Sequence, residues 1–251
     1  MVTDNDRLQA AYMDTVYRDA DRDDVEYYLD RATAVEGPTL ELGCGTGRIY
    51  LAMLEAGVDA DGLDLSAASL DILRERADER GLDPSVRRGD MTDIGADREY
   101  DLVTCPFNAV QELATIEQQL ALLDSVNDAL APGGTFVFDT FVPDFDYIAE
   151  AWGEWQRRTV EFRGDPTEFH TRSRLLDAVT QEYVSEKRAV GPDGQELFSF
   201  EGRATLFPYR EIELLARLSP FDSWTVTGDY TDEPLSDGHS AQVWSLERTT
   251  Q

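Results

Sequence analysis

Between positions 41 and 64 the chain gathers Glu41, Gly43, Gly45, Gly47 and Asp64, residue types suited to cradling a nucleotide. The stretch Leu40-Glu41-Leu42-Gly43-Cys44-Gly45-Thr46-Gly47-Arg48 reads as a buried strand, a glycine-rich turn and the start of a helix. Such glycines let the backbone turn sharply and approach a ligand more closely than a Cβ permits. A dinucleotide fingerprint requires its third glycine at position 48, where this chain carries Arg48. After an amphipathic helix (Ile49, Leu51, Leu54), a second strand ends in Asp64, about 20 residues beyond the cradle, the spacing at which a carboxylate meets ribose hydroxyls. Ionised, it is acceptor-only and takes both hydroxyl protons. Its other open role is to cap the next helix, which Ser66 fills equally well.

An acidic residue two positions before Gly-x-Gly-x-Gly resembles the first motif of the class I S-adenosylmethionine-dependent methyltransferases. Further stretches follow in the family's order: Arg88-Gly89-Asp90-Met91-Thr92-Asp93, then Tyr100 to Asn108 as the central strand, then Pro132-Gly133-Gly134 before the fifth strand. Pro220 stands where many relatives carry a glycine. The resemblance, which covers about 38–140, implies S-adenosyl-L-methionine as cofactor. Glu41, Gly43, Gly45 and Gly47 would shape its cleft, Asp64 would hold the ribose, and Asp90 with Met91 would hold adenine. In related small-molecule enzymes an N-terminal helical segment closes over the cofactor, which would make Tyr17 a cofactor contact. Tyr12 and Tyr17 read equally as an aromatic stripe packed on the domain.

Methyl transfer from a sulfonium is an in-line displacement, so alignment, exclusion of water and proton removal are what a protein contributes. The chain shows no triad. Its histidines stand only at 170 and 239 and its cysteines only at 44 and 105, so metal-ligand spacing is absent and no metal is expected. Asn108, beyond the central strand, is the first candidate to touch a nucleophile, or else an ordinary helix-entry residue. His170 would be a general base or a core histidine, and His239 reads the same way. Tyr209 and Arg210 would orient a polar or anionic substrate, or else cap and pair at the surface. Trp152 and Trp155 would floor the pocket or belong to an aromatic core.

The expected activity is methyl transfer to a nitrogen or oxygen of a small molecule, resembling the sugar-amine N-methyltransferases. The alternatives are a non-catalytic S-adenosylmethionine-binding module and a nucleic-acid methyltransferase. Enzymes that methylate bases typically carry Asn or Asp, then Pro-Pro and an aromatic, where this chain has Cys105-Pro106-Phe107-Asn108. A nicotinamide oxidoreductase is countered by Arg48.

Positioning these groups calls for an α/β fold. Strands near 39–43, 58–64, 85–88, 100–105 and 134–139 alternate with helices, the pattern of a doubly wound, mostly parallel sheet, seven-stranded by the resemblance. The helix over about 115–130 is expected to stop at Ala131-Pro132-Gly133-Gly134. Runs at 155–163, 168–178, 181–190 and 195–207 read as an inserted antiparallel sheet. A helix over 209–218 and strands over 221–229 and 241–247 close the chain. The expected division is an N-terminal helical lid over 1–37, a cofactor-binding core over 38–151 and 208–251, and an insertion over 152–207 that walls the substrate site or forms a homodimer contact.

The 251 residues carry a formal charge of −29, and Lys187 is the single lysine among 22 basic residues. Self-repulsion at this density destabilises a compact state in dilute buffer, whereas molar salt shortens the screening length to about 3 Å. The composition points to a high-salt cytoplasm and away from nucleic acid or anionic membranes as partners. No apolar run spans a bilayer and the start lacks a signal pattern, so a cytoplasmic protein acting on a small-molecule substrate is expected. Cys44 and Cys105 are expected as reduced, buried thiols.

Overall fold

The computed structural model of the chain describes residues 3–18 and 24–249, including all their side chains except those of residues 4, 5 and 16–18. The helices α1 (Asp4–Arg18) and α2 (Asp24–Ala34) precede β1 (Thr39–Leu42), α3 (Tyr50–Glu55), β2 (Ala60–Asp64), α4 (Ala67–Arg80), β3 (Ser85–Arg88) and β4 (Tyr100–Cys105). A short 3₁₀ turn, Ala109–Glu112, leads to α5 (Ile116–Ala129), β5 (Leu130–Phe141) and α6 (Phe145–Ala151). Ser66 caps α4 by accepting from the Ser69 amide, Gly81 ends that helix in the left-handed region, and Thr115 with Gln118 forms a capping box on α5.

Four antiparallel strands follow, β6 (Gln156–Phe162), β7 (Asp165–Asp177), β8 (Glu182–Val190) and β9 (Glu196–Thr205), paired in chain order as a separate sheet. Helix α7 (Tyr209–Leu218) and the strands β10 (Ser223–Gly228) and β11 (Ala241–Glu247) complete the chain. The seven-stranded sheet has the order β10-β11-β5-β4-β1-β2-β3; β11 runs antiparallel to both neighbours and the other pairs are parallel. The expected α/β architecture is therefore present. Strand order reverses between β1 and β4, and in open α/β sheets that switch point opens a crevice at the carboxyl ends of the strands.

One apolar cluster joins that sheet to α5 and α7 through Leu123, Val126, Ile212 and Leu215; another joins the opposite face to α2, α3 and α4 through Tyr28, Leu51, Met53 and Leu73. A third ties α1 to the four-stranded sheet, with Tyr12 fully buried among Phe162, Phe169 and Phe198 and its ring centroid 4.4 Å from that of Phe169. Of the two roles open to Tyr12, packing is the one observed.

The Pro-Gly-Gly segment differs from expectation. Helix α5 ends at Ala129 because Leu130 is already extended and pairs with Tyr100, and Ala131–Gly134 then bulge inside β5 before regular pairing resumes at Thr135. A Cβ on Gly134 would meet the Ala131 and Tyr100 carbonyl oxygens at 2.9 Å, so that glycine permits the close approach of β4 and β5. Among the described residues no helix is long and apolar enough to cross a membrane.

Candidate functional site

A cleft of ≈ 1110 Å³ opens at the carboxyl ends of β1, β2 and β4, bounded by α1, α6 and one face of the four-stranded sheet. Small-molecule sites run to roughly 300–1,000 Å³, so this cleft is at the large end, and it reaches from the glycine loop to the four-stranded sheet.

The glycine loop forms one end. Gly43, Gly45 and Gly47 have φ of +66°, +55° and +87°, all in the left-handed region. Gly43 and Gly45 line the cleft, and an added Cβ on Gly43 would press Ala109 at 3.3 Å. Gly47 serves otherwise than expected: its absent Cβ would meet Leu51 and Leu73 at 2.8 and 2.9 Å, so it fits the loop onto α3 and α4 and does not line the cleft.

Glu41 is 3% exposed on the floor beside this loop, and its Oε2 has no hydrogen-bond partner among the described residues. Burial pushes its pKa up to about 8, against the opposing pull of the Arg48 guanidinium. A buried carboxyl with an unused oxygen at the cleft wall fits a cationic ligand group. Asp64 closes β2 with both oxygens in use: Oδ2 accepts from the Gly45 amide at 2.8 Å and Oδ1 from the Ser66 amide at 2.7 Å. Burial raises its pKa, and those two amides oppose the shift. Met91 lines the cleft with its sulfur 4.0 Å from Cys105 Sγ. Asp90 does not line it; its side chain is exposed and Oδ1 accepts from the Thr92 amide and hydroxyl, a local turn.

Past β4 the chain makes two consecutive left-handed residues, Phe107 (φ 64°) and Asn108 (φ 60°), an uncommon arrangement for non-glycine residues that needs support. Buried Asp139 supplies it: Oδ1 accepts from the Phe107 amide at 2.8 Å and the Tyr28 hydroxyl at 2.7 Å, and Oδ2 accepts from the Asn108 amide at 3.2 Å. Asn108 lines the cleft, but its Oδ1 accepts from the Phe141 amide at 2.6 Å, so the side chain also pins the end of β5.

Other expected contacts fall elsewhere. His170 is 5% exposed, its Nε2 3.0 Å from Glu168 Oε2 and its Nδ1 accepting from Arg188 Nε at 3.1 Å. On β7 side chains alternate, so His170 faces away from the cleft that Ser173 lines. Tyr209 and Arg210 open α7, which packs on α5; Tyr209 lies against Trp244 at 5.3 Å, and neither residue lines the cleft. The Arg172 and Arg188 guanidinium groups lie 4.6 and 4.5 Å from the Trp155 ring, and His239 Nδ1 accepts from the Ser236 amide in an exposed loop. Trp152 does line the cleft, its ring 5.0 Å from that of Tyr183. The side chain of Tyr17 lies outside the described residues.

The sequence reading missed four contributors. Asp14 on α1 forms a two-pronged ion pair with Arg76 on α4 and accepts from Thr46 Oγ1 at 3.1 Å, strapping α1 to the glycine loop. Glu112, Tyr183 and Lys187 line the half of the cleft away from that loop. The period-two run Tyr183, Ser185, Lys187 and the solitary status of Lys187 were the signals available. Among the described residues, no group of three His, Cys, Asp or Glu side chains is arranged to hold a metal ion. Cys44 and Cys105 are free and buried, and burial raises both thiol pKa values.

Residues 39–134 match the family described as a methyltransferase domain. Over 214 residues the chain is 30% identical to a cypemycin N-terminal methyltransferase from Streptomyces sp, covering 83% of this chain and 82% of that protein. It shares its fold with an S-adenosylmethionine-dependent methyltransferase from Clostridium acetobutylicum ATCC 824 (TM-score 0.79, 16% identity, 95% and 96% of the two chains covered). A similar match is an S-adenosylmethionine-bound amino pentose methyltransferase from Micromonospora echinaspora (TM-score 0.72, 23% identity, 95% and 97% covered).

Proposed function

Because the chain belongs to the S-adenosylmethionine-dependent methyltransferase family, we propose that its cleft holds the methyl donor at the glycine-loop end and a small-molecule acceptor at the other, for transfer to nitrogen or oxygen. Bound there, S-adenosylmethionine supplies an electrophilic methyl group on a sulfonium.

Glu41 supports this most directly, because its unused buried oxygen suits the ammonium of the donor's amino-acid end. Gly43 and Gly45 let the loop approach the same group. Asp64 keeps a lone pair on each oxygen beyond those its two amides occupy, enough to accept from two ribose hydroxyls. Met91, in place of Asp90, meets adenine. Asn108 fixes the wall where β4 and β5 end and Trp152 forms the acceptor side. The strap from Asp14 to Arg76 and Thr46 supports a lid role for residues 1–37 over the core 38–151 and 208–251, with 152–207 as the substrate wall.

The charge of −29 supports a cytoplasm of high salt, with no nucleic-acid or membrane partner. Exposed Leu175, Leu176 and Val179 at the β7–β8 end support a homodimer contact through the insertion. Incubation with a methyl-labelled donor and a panel of small amines and alcohols in molar KCl tests the activity by mass spectrometry. Labelled product is expected; donor binding with no transfer to any acceptor would leave a binding module in its place.

A further inference from the structure

We propose that the acceptor is a basic amine, seated as its ammonium between the Glu112 carboxylate and the aromatic corner of Trp152, Tyr183 and Phe141, and that Glu112 takes the proton the nitrogen must lose before it attacks. The proposal rests on the reading of this cleft as a methyl-transfer site and names the substrate class of its acceptor half.

Glu112 ends the 3₁₀ turn that follows β4 and lines the cleft. It is open to the cleft space while surrounding protein still desolvates its carboxyl and raises its pKa. Among the described residues it takes part in no hydrogen bond or ion pair, although Arg48, Arg76, Arg98 and Arg172 are each matched to carboxylates. A partly desolvated carboxylate whose hydrogen-bonding capacity is unused is a site for a cation brought by the ligand.

An aromatic corner lines the same cleft. Tyr183 stands 5.0 Å from the Trp152 ring and 6.4 Å from the Phe141 ring, and all three line the cleft. Ring faces attract alkylammonium groups, before and after methylation, and offer a neutral alcohol no equivalent gain. Between this corner and Lys187 runs one cross-strand row of small residues, Ser173, Ser185 and Gly202, that leaves room for the body of the acceptor; Ala204 and Arg203, the latter paired with Glu182, also line the cleft from this sheet.

Two charges act on Glu112 from opposite sides: Asp64 raises its pKa and Lys187 lowers it. Arginine stays charged at every accessible pH, whereas a desolvated lysine titrates within reach of neutrality, and this chain keeps its one lysine here, with a pKa lowered by burial to about 8. The step balances. The ammonium proton passes to a Glu112 oxygen; the freed nitrogen lone pair forms the bond to the methyl carbon; the carbon–sulfur pair stays on sulfur; and the nitrogen regains its positive charge as an N-methylammonium. An alcohol is far too weak an acid for a carboxylate to serve in the same way.

The test uses matched pairs, cyclohexylamine with cyclohexanol and benzylamine with benzyl alcohol, titrated by calorimetry into the full chain holding the demethylated product, then assayed for methyl transfer. The expected result is tighter binding of each amine than of its alcohol, methyl groups on nitrogen alone, and a loss of about 10-fold or more in amine affinity in Glu112→Gln. Cofactor affinity in that variant should match the parent's, which also reports that it folds. Equal behaviour within each pair, whether both members bind or neither does, overturns the proposal without recourse to any variant. A chain that binds no S-adenosylmethionine fails earlier, at the reading of the cleft itself.

Discussion

Arg48 grips Asp24 with two parallel hydrogen bonds of 2.7 Å each, joining the end of the glycine loop to the first residue of α2. Asp24 is fully buried and Arg48 is 21% exposed, so the pair sits in a poorly solvated seam. Position 48 is where a dinucleotide fold would carry a glycine; here it carries the residue that fastens a neighbouring helix.

Removing one partner of such a pair leaves a buried charge uncompensated, at a cost of roughly 3–5 kcal/mol. Arg48→Ala is expected to lower the melting temperature by about 10 °C. Arg48→Lys should recover only part, because one ammonium cannot reproduce the two-pronged contact. Thermal melts of the three proteins check this, and an Ala variant as stable as the parent would mean the pair adds no stability.

Glu41 should make stability depend on pH. Its folded pKa of about 8 lies above the ordinary 4.5, so its contribution is present in full below about pH 4.5 and is lost as pH rises towards 8. The Glu41→Gln variant is expected to match the parent near pH 4.5 and to melt higher at pH 8. S-Adenosylmethionine, which requires the ionised form beside its ammonium, should bind the parent more tightly at pH 8 than at pH 6. Melts at those pH values and calorimetry at pH 6 and 8 measure both.

Asp64 already accepts from Gly45 and Ser66, so it holds the loop as well as facing the cleft. Asp64→Ala should weaken cofactor binding by about 10-fold to 100-fold, since hydrogen bonds to charged groups contribute about 1.5–3 kcal/mol each. Unchanged affinity in a calorimetric titration would make the residue purely structural.

The glycine-loop end of the cleft was legible because it is local: Glu41, Gly43, Gly45, Asp64 and Met91, all of which line it, sit at strand ends whose order follows from alternating strand and helix. The opposite end was not. His170 looked usable, but the side a strand residue faces depends on what covers each side of its sheet, and α1 covers the one that carries Phe169. Tyr209 and Arg210 looked close to the site along the chain, yet α7 turns onto α5. Asp14 and Arg76 are separated by 62 positions, and Glu112 faces Tyr183 and Lys187 only once the insertion folds back over the central strand. The Pro-Gly-Gly bulge was missed because its residue types are those of a turn.

Salt should act as a structural ligand of this chain. With −29 formal charges, the melting temperature is expected to climb as KCl rises from 0.1 M to 2 M, as screening reaches the closest repulsions. Ion pairs such as Arg98 with Asp59 weaken over the same range, but exposed pairs contribute about 0–1 kcal/mol each. Equal or greater stability in dilute buffer would reject the high-salt setting.

Whether the cleft holds the methyl donor is decided by calorimetric titration of the folded chain, in molar KCl, with S-adenosylmethionine and with its demethylated product. One site per chain for each ligand, lost or weakened in Asp64→Ala, is the expected result. No binding of either ligand by a chain shown to be folded would mean that the cleft is not a site for this donor.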